Sequence, residues 1–241
     1  MENIEDIIRA SDVSIFRVKS QTTIQDRRSL LDLQNIVRMF DERYVYLEVG
    51  SHLGGTLLPY IYDPKCRAVI SVDSRPAEQD DERGRSYEYE NNSTARMISG
   101  LEAVAPRDGL LKLRTFDADA SELSVDQIGT LTRIAFIDGE HTNRACFKDF
   151  MSVLPFMEQD SLIAFHDANL VFDALSNIET FLESSEIPFS AMFLPDSVYT
   201  IGVRKMARAL EPLKRYSLDA DEFVKTARRS LRNSILAHAP R

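Results

Sequence analysis

The chain has 241 residues, with 38 acids against 29 Lys and Arg, a formal net charge of −9 and a pI near 5.0. That length suits one domain of ordinary size with modest additions, and the acidic balance argues against a surface that tracks phosphates, so no nucleic-acid partner is expected. No run approaches the roughly 18 apolar residues that a bilayer crossing needs, and the first ten residues carry Glu2, Glu5 and Asp6 instead of a basic start, so no membrane partner and a cytoplasmic location are expected.

Residues 1–42 place Ile4, Ile7, Ile8 and then Leu30, Leu31, Leu33, Ile36, Val37 and Phe40 at helical intervals. They are expected to form a helical cap or an interface, the latter compatible with a homo-oligomer. From residue 44 strands and helices alternate. The predicted strands are Val45 to Val49, Ala68 to Val72, Leu111 to Arg114, Ile134 to Ile137 and Leu162 to Phe165. The segments between them have room for helices, which predicts a doubly wound α/β fold with a mostly parallel sheet. A helix from about Phe172 to Ser184 is followed by Phe189 to Leu194 and Ser197 to Val203. The connection through Pro195 and Asp196 is too short for anything but an antiparallel hairpin. The tail from Asp219 to Leu236 opens on acids, ends on Arg228, Arg229 and Arg232, and carries one apolar stripe of Phe223, Ala227 and Leu231, as a packing helix does. The expected division is a cap over residues 1–42, a core over 43–205 and a helical extension over 206–241. Cys66 and Cys146, the two cysteines, lack metal-type spacing and read as reduced core residues.

The first strand stops at an acid and opens into a glycine turn: Leu47-Glu48-Val49-Gly50-Ser51-His52-Leu53-Gly54. Glycines there let the backbone turn sharply and approach a ligand. The spacing lacks the middle glycine of the dinucleotide fingerprint and has an acid inside the strand end, which favours S-adenosylmethionine over NAD. Glu48, Gly50, Ser51 and Gly54 are therefore candidate cofactor-binding residues. Asp73 ends the second strand 23 residues after Gly50, where a carboxylate accepts from ribose hydroxyls. The apolar-poor stretch 76–92 reads as a solvated loop, placed to act as a lid.

The fourth strand ends in Asp138-Gly139-Glu140-His141 and the fifth in His166-Asp167-Ala168-Asn169. In a doubly wound sheet these tips lie beside the Gly50 loop. Two carboxylates in one cleft repel unless a cation bridges them, so Asp138 and Asp167 are candidate metal ligands, with His166 or Asn169 completing a mixed site. Oxygen ligands favour Mg²⁺ or Ca²⁺, and an imidazole also suits Mn²⁺. His141 is within reach as a general base. Thr142 is expected to cap the helix carrying Ala145, Phe147, Phe150, Met151 and Leu154.

Taken together, Glu48-Val-Gly50-Ser-His-Leu-Gly54, Val72-Asp73, Asp119, Phe136-Ile-Asp-Gly-Glu-His141 and Ile163-Ala-Phe-His-Asp167 resemble the class I S-adenosylmethionine-dependent methyltransferases. More narrowly they resemble the branch with macrocin O-methyltransferase and the cephalosporin-hydroxylase-like enzymes, over roughly residues 44–204. The resemblance implies a seven-stranded sheet, Asp138 and Asp167 as metal ligands, His141 as base, and Asp119 on the adenine amine, with Asp117 as its alternative. It also implies that Asp138 adjoins the cofactor, and that His166 stands where some relatives have a second acidic ligand. The expected activity is divalent-metal-assisted O-methylation of a small hydroxylated metabolite, a sugar or a natural product. A Rossmann-type NAD(P) oxidoreductase and a catalytically silent cofactor-binding domain are the alternatives.

Overall fold

The computed structural model describes residues 3–238. Its centre is a seven-stranded sheet built from β1 (Val45–Val49), β2 (Ala68–Val72), β5 (Leu113–Phe116), β6 (Thr132–Ile137), β7 (Met157–Phe165), β8 (Phe189–Phe193) and β9 (Tyr199–Val203). Strand order is β5-β2-β1-β6-β7-β9-β8, parallel from β5 to β7 and closed by the antiparallel β9 and β8. The doubly wound sheet with its terminal hairpin is thus the one predicted. All five residues of β1 are buried, as befits a strand covered on both faces.

Alternate residues feed two cores. Val45, Leu47, Val49, Ile70, Ala135 and Ile137 face a cluster with Phe150, Phe165, Leu175 and Ile178. That face is covered by α7 (Asn143–Val153), α8 (Ala168–Ser184) and α10 (Ala220–His238). Tyr44, Tyr46, Val69, Ile134 and Phe136 face the opposite way, into a cluster with Leu33, Val37, Leu57 and Met97. There the cover comes from α2 (Ile24–Phe40), α3 (Leu58–Tyr62), α4 (Thr94–Glu102) and α9 (Lys205–Ala209). The short α1 (Ile4–Arg9) and the 3-10 turn Val13–Ile15 both pack on α2, Ile8, Ile15 and Phe16 clustering with Leu31; α5 (Arg107–Leu110) and α6 (Val125–Ile128) complete the α-helices. Among the described residues no helix is long and apolar enough to cross a membrane.

Two expectations change. The third strand of the parallel set begins at Leu113, two residues later than predicted, because α5 and the turn after it take up Leu110 and Leu111, the latter 80 % exposed. The stretch after β2 is not plain loop: β3 (Glu78–Asp80) and β4 (Ser86–Glu88) pair antiparallel, Glu78 with Glu88 and Asp80 with Ser86. Asp81, almost buried, holds that hairpin's turn by accepting from Arg83 N and from the Arg83 guanidinium. Thr142 caps α7, its hydroxyl accepting from Ala145 N.

Candidate active site

Sheet register brings the candidate residues into one row. Phe116, Val72, Val49, Ile137 and Phe165 are partnered across β5, β2, β1, β6 and β7. The hydrogen-bond ladder runs one step further: Asp73 N donates to Phe116 O, Gly50 N to Val72 O, Asp138 N to Val49 O and His166 N to Ile137 O, all at 2.9–3.0 Å. Four site residues are thus pinned by their backbones at the carboxyl edge, where strand order reverses between β1 and β6. Gly50 has φ +84°, and a Cβ there would lie 2.0 Å from Asp138 O. Only glycine lets the first strand turn this close to the fourth.

A crevice over this edge has two chambers. One is lined by Lys19, Gln21, Gly50, Ser51, His52, Tyr89, Asp138 and His141. The other is lined by Val49, Ser74, Asp119, Gly139, Arg144, Lys148 and Asp149. Gly50, Asp73 and Gln79 border both. Gln79 belongs to β3, so the hairpin sits over the divide. It is also tied to α7: Glu82 N donates to His141 O, and Glu82 Oε2 accepts from Asn143 N.

Asp73, 6 % exposed, accepts from His52 N and Arg75 N and pairs with the Arg75 guanidinium at 3.3 Å. Arg75 also donates to His52 O and Ser51 Oγ, clamping the glycine turn to the β2 tip. Glu48 lies elsewhere than its assignment implied. It is fully buried beneath the turn, accepts from Tyr46 Oη at 2.5 Å and Thr56 Oγ1 at 2.6 Å, and does not line either chamber. Burial pushes its carboxyl up to about 8 against the pull of those two hydroxyls. Asp119 is at the crevice, but its oxygens accept from Ser121 N and Oγ and from Lys148 Nζ. Asp117 pairs instead with Thr94 and Arg75. Gly54, with φ +78°, packs against Met97 and Leu101 and shapes the turn from behind.

At the first chamber's end Asp138, His141 and Asp167 bring donor atoms within 4.8 Å of one another. His141 Nε2 is 3.2 Å from Asp167 Oδ2 and 3.6 Å from Asp138 Oδ1. Asp167 adopts φ +48°, a left-handed turn that Asp tolerates better than most residues, before α8 begins. His166 is not in this set. Its Nδ1 lies 3.0 Å from Asp138 Oδ1 and 3.4 Å from Asp167 Oδ2, and its Nε2 3.3 Å from Asp26 Oδ2. With carboxylates at both nitrogens the ring has no lone pair to offer a metal. Burial works against its charge, yet Asp138, Asp167 and Asp26 hold it well above the ordinary imidazole range. The imidazolium and His141 in turn hold Asp138 below its usual value despite its burial. His141 itself is raised: the two acids outweigh its desolvation.

Asp26 is a site residue that the sequence hides. Its Thr23 capping box marks a helix start and nothing more, yet the same carboxylate accepts from Ser197 N and Oγ and meets His166. Burial raises it, but the bonds from His166, Thr23 and Ser197 win and hold it far below the usual carboxylate range. The N-terminal segment therefore walls the site through Lys19, Gln21 and Asp26. Asp149 did leave a signal: it is an acid on the buried stripe Cys146, Asp149, Phe150, Val153 of α7.

The family model described as a methyltransferase domain matches residues 47–168, half of the chain, and the chain belongs to that family. No curated protein matches it. Among solved structures, a Staphylococcus aureus protein provisionally described as a caffeoyl-CoA O-methyltransferase aligns with TM-score 0.54 at 12 % identity, covering 85 % of this chain and 93 % of its own. A provisionally assigned methyltransferase from Streptococcus mutans, in complex with S-adenosylhomocysteine, gives 0.54 at 10 %, covering 78 % and 99 %. A calicheamicin methyltransferase gives 0.53 at 15 %, covering 83 % and 89 %. These likenesses are of fold: the class I S-adenosylmethionine-dependent one. The family match sets aside the oxidoreductase alternative.

Proposed function

We propose that this methyltransferase moves the methyl group of S-adenosylmethionine to a hydroxyl of a small hydroxylated acceptor, a sugar or natural product, at the Asp138, His141 and Asp167 cluster. The observation that carries the reading is this cluster's place at the end of the chamber that also contains the glycine turn. The ribose lies against Asp73 and Gly50 at the divide, so the sulfonium end extends toward Asp138. The acceptor oxygen attacks the methyl carbon, the carbon–sulfur bond breaks with its electron pair left on sulfur, and the hydroxyl proton must leave.

Two carboxylates and an imidazole fit a hard divalent ion, Mg²⁺ first, with Mn²⁺ or Ca²⁺ suited by the same donors. Such an ion lowers the proton's affinity for the acceptor oxygen and fixes that oxygen's position. Asp138 and Asp167 supply anionic ligands, and His141 offers Nε2 from the α7 side. A second reading has its own support. The His166 imidazolium already stands 3.0 and 3.4 Å from the two acids and supplies the positive charge they require. His141 Nε2 would then take the hydroxyl proton itself.

Calorimetric titration with S-adenosylhomocysteine, with and without Mg²⁺, followed by transfer of labelled methyl to a panel of hydroxylated metabolites, tests the proposal. Binding and hydroxyl methylation support it, and loss of transfer in EDTA with recovery in Mg²⁺ selects the first reading over the second. A protein that ignores S-adenosylhomocysteine, or that methylates only nitrogen or carbon, overturns it.

A further inference from the structure

Every acid bordering the crevice has its carboxylate engaged except one. Asp73 is held by two backbone N–H groups and Arg75, Asp119 by Ser121 and Lys148, and Asp138 by histidines. Asp149 is 7 % exposed and lines the second chamber. Among the described residues no hydrogen bond or ion pair reaches its carboxylate, and its surroundings act only through space: Asp119, Glu140 and Lys148. A buried carboxyl without a partner costs stability, so its retention inside a cavity points to a ligand.

The ligand's identity follows from the crevice's polarity. The ribose occupies the divide at Asp73, and the sulfonium end goes toward Asp138, so the purine is left with the second chamber. Val49 and Gly139 line it beside Asp149; a Cβ on Gly139 would lie 2.8 Å from Asp149 Oδ2, so glycine there leaves room next to that carboxyl. We propose that Asp149, and not Asp119, reads the Watson–Crick edge of the cofactor's adenine, accepting from the exocyclic amine and donating to ring N1. This rests on the S-adenosylmethionine reading above. Burial pushes the Asp149 carboxyl up to about 7, which makes a neutral acid with one donor and one acceptor available, the complement of the amine and N1.

The test compares S-adenosylhomocysteine with its 6-deamino analogue, whose purine keeps ring N1 as an acceptor but has no exocyclic amine for the carboxyl to accept from. Affinities are measured calorimetrically for wild type, Asp149→Leu, Asp149→Asn and Asp119→Asn, with thermal denaturation of each. Wild type should prefer the adenine compound by tenfold or more, and Asp149→Leu should lose roughly tenfold for it and the preference with it. Asp149→Asn, whose amide keeps an acceptor and a donor, should retain both. Because leucine replaces an unpartnered acid of similar size, Asp149→Leu should melt no lower than wild type. An unchanged purine preference in Asp149→Leu, or loss of preference in Asp119→Asn alone, overturns the inference while leaving the cofactor reading intact. Failure of wild type to bind either compound sinks the cofactor reading itself.

Discussion

Glu48 separates a residue that touches the cofactor from one that braces the turn beneath it. Replace it by Gln. In the wild type the buried carboxyl titrates near 8 when folded, against an ordinary 4.5. A raised acid keeps its proton in the folded state, so its contribution to stability is whole below 4.5 and is lost as pH rises through about 8. The loss is about 1.4 kcal/mol per pH unit across that window, on the order of 5 kcal/mol in all. Gln is neutral throughout: its carbonyl accepts from one of the Tyr46 and Thr56 hydroxyls and its amide donates to the other. Urea denaturation at pH 5, 6, 7 and 8 should show Glu48→Gln gaining on wild type with each step and levelling off above pH 8. Calorimetry should show its S-adenosylhomocysteine affinity within a few-fold of wild type, because Glu48 lines neither chamber. A stability difference that does not move with pH refutes the burial argument. A hundredfold loss of affinity refutes the bracing role.

Gly50→Ala places a Cβ 2.0 Å from Asp138 O in a backbone conformation costly for alanine, so β1 and β6 must part. Urea denaturation should show a loss of at least about 3 kcal/mol, and calorimetry no cofactor binding. Asp26→Asn removes one partner of a buried ion pair and should cost about 3–5 kcal/mol at pH 7 by chemical denaturation. Because the Asp26 carboxyl is depressed, that gap should be full above pH 3.8 and close as pH falls further. Asp73→Ala should weaken S-adenosylhomocysteine binding, with turnover restored at saturating cofactor; unaltered affinity in calorimetry rules out the ribose contact. Asp138→Ala should abolish methyl transfer in the labelled assay while cofactor affinity stays within a few-fold.

Strand runs and strand tips were readable because parallel strands buried on both faces are continuous in sequence, and the ladder then forces residues 50, 73, 138 and 166 into a row. What each side chain meets was not readable. Glu48 and Asp73 both end apolar runs, yet the pleat turns one under the sheet's edge and leaves the other at the crevice. Asp119 looked free because its cap partners Ser121 and Glu122 are local and its cation, Lys148, comes from α7. The contact between Asp26 and His166 spans 140 residues, and no periodicity announces it. The hairpin of β3 and β4 escaped notice because its exposed, charged residues lack the apolar alternation that marks a half-buried strand.

Charge pairing orders the site more than residue identity does. His166 meets three acids that come from α2, β6 and the turn before α8, so one buried cation joins the N-terminal segment to two strand tips. Removing it would leave Asp26 without a cation and Asp138 and Asp167 with His141 alone, and in low dielectric like charges so close cannot all stay ionised. A divalent ion at Asp138, His141 and Asp167 would lie next to that imidazolium. It must therefore be bound through the carboxylate lone pairs that His166 does not use, or displace the ring's proton. The Mg²⁺ dependence of transfer accordingly reports which cation the acids serve during the reaction, the ring or the ion.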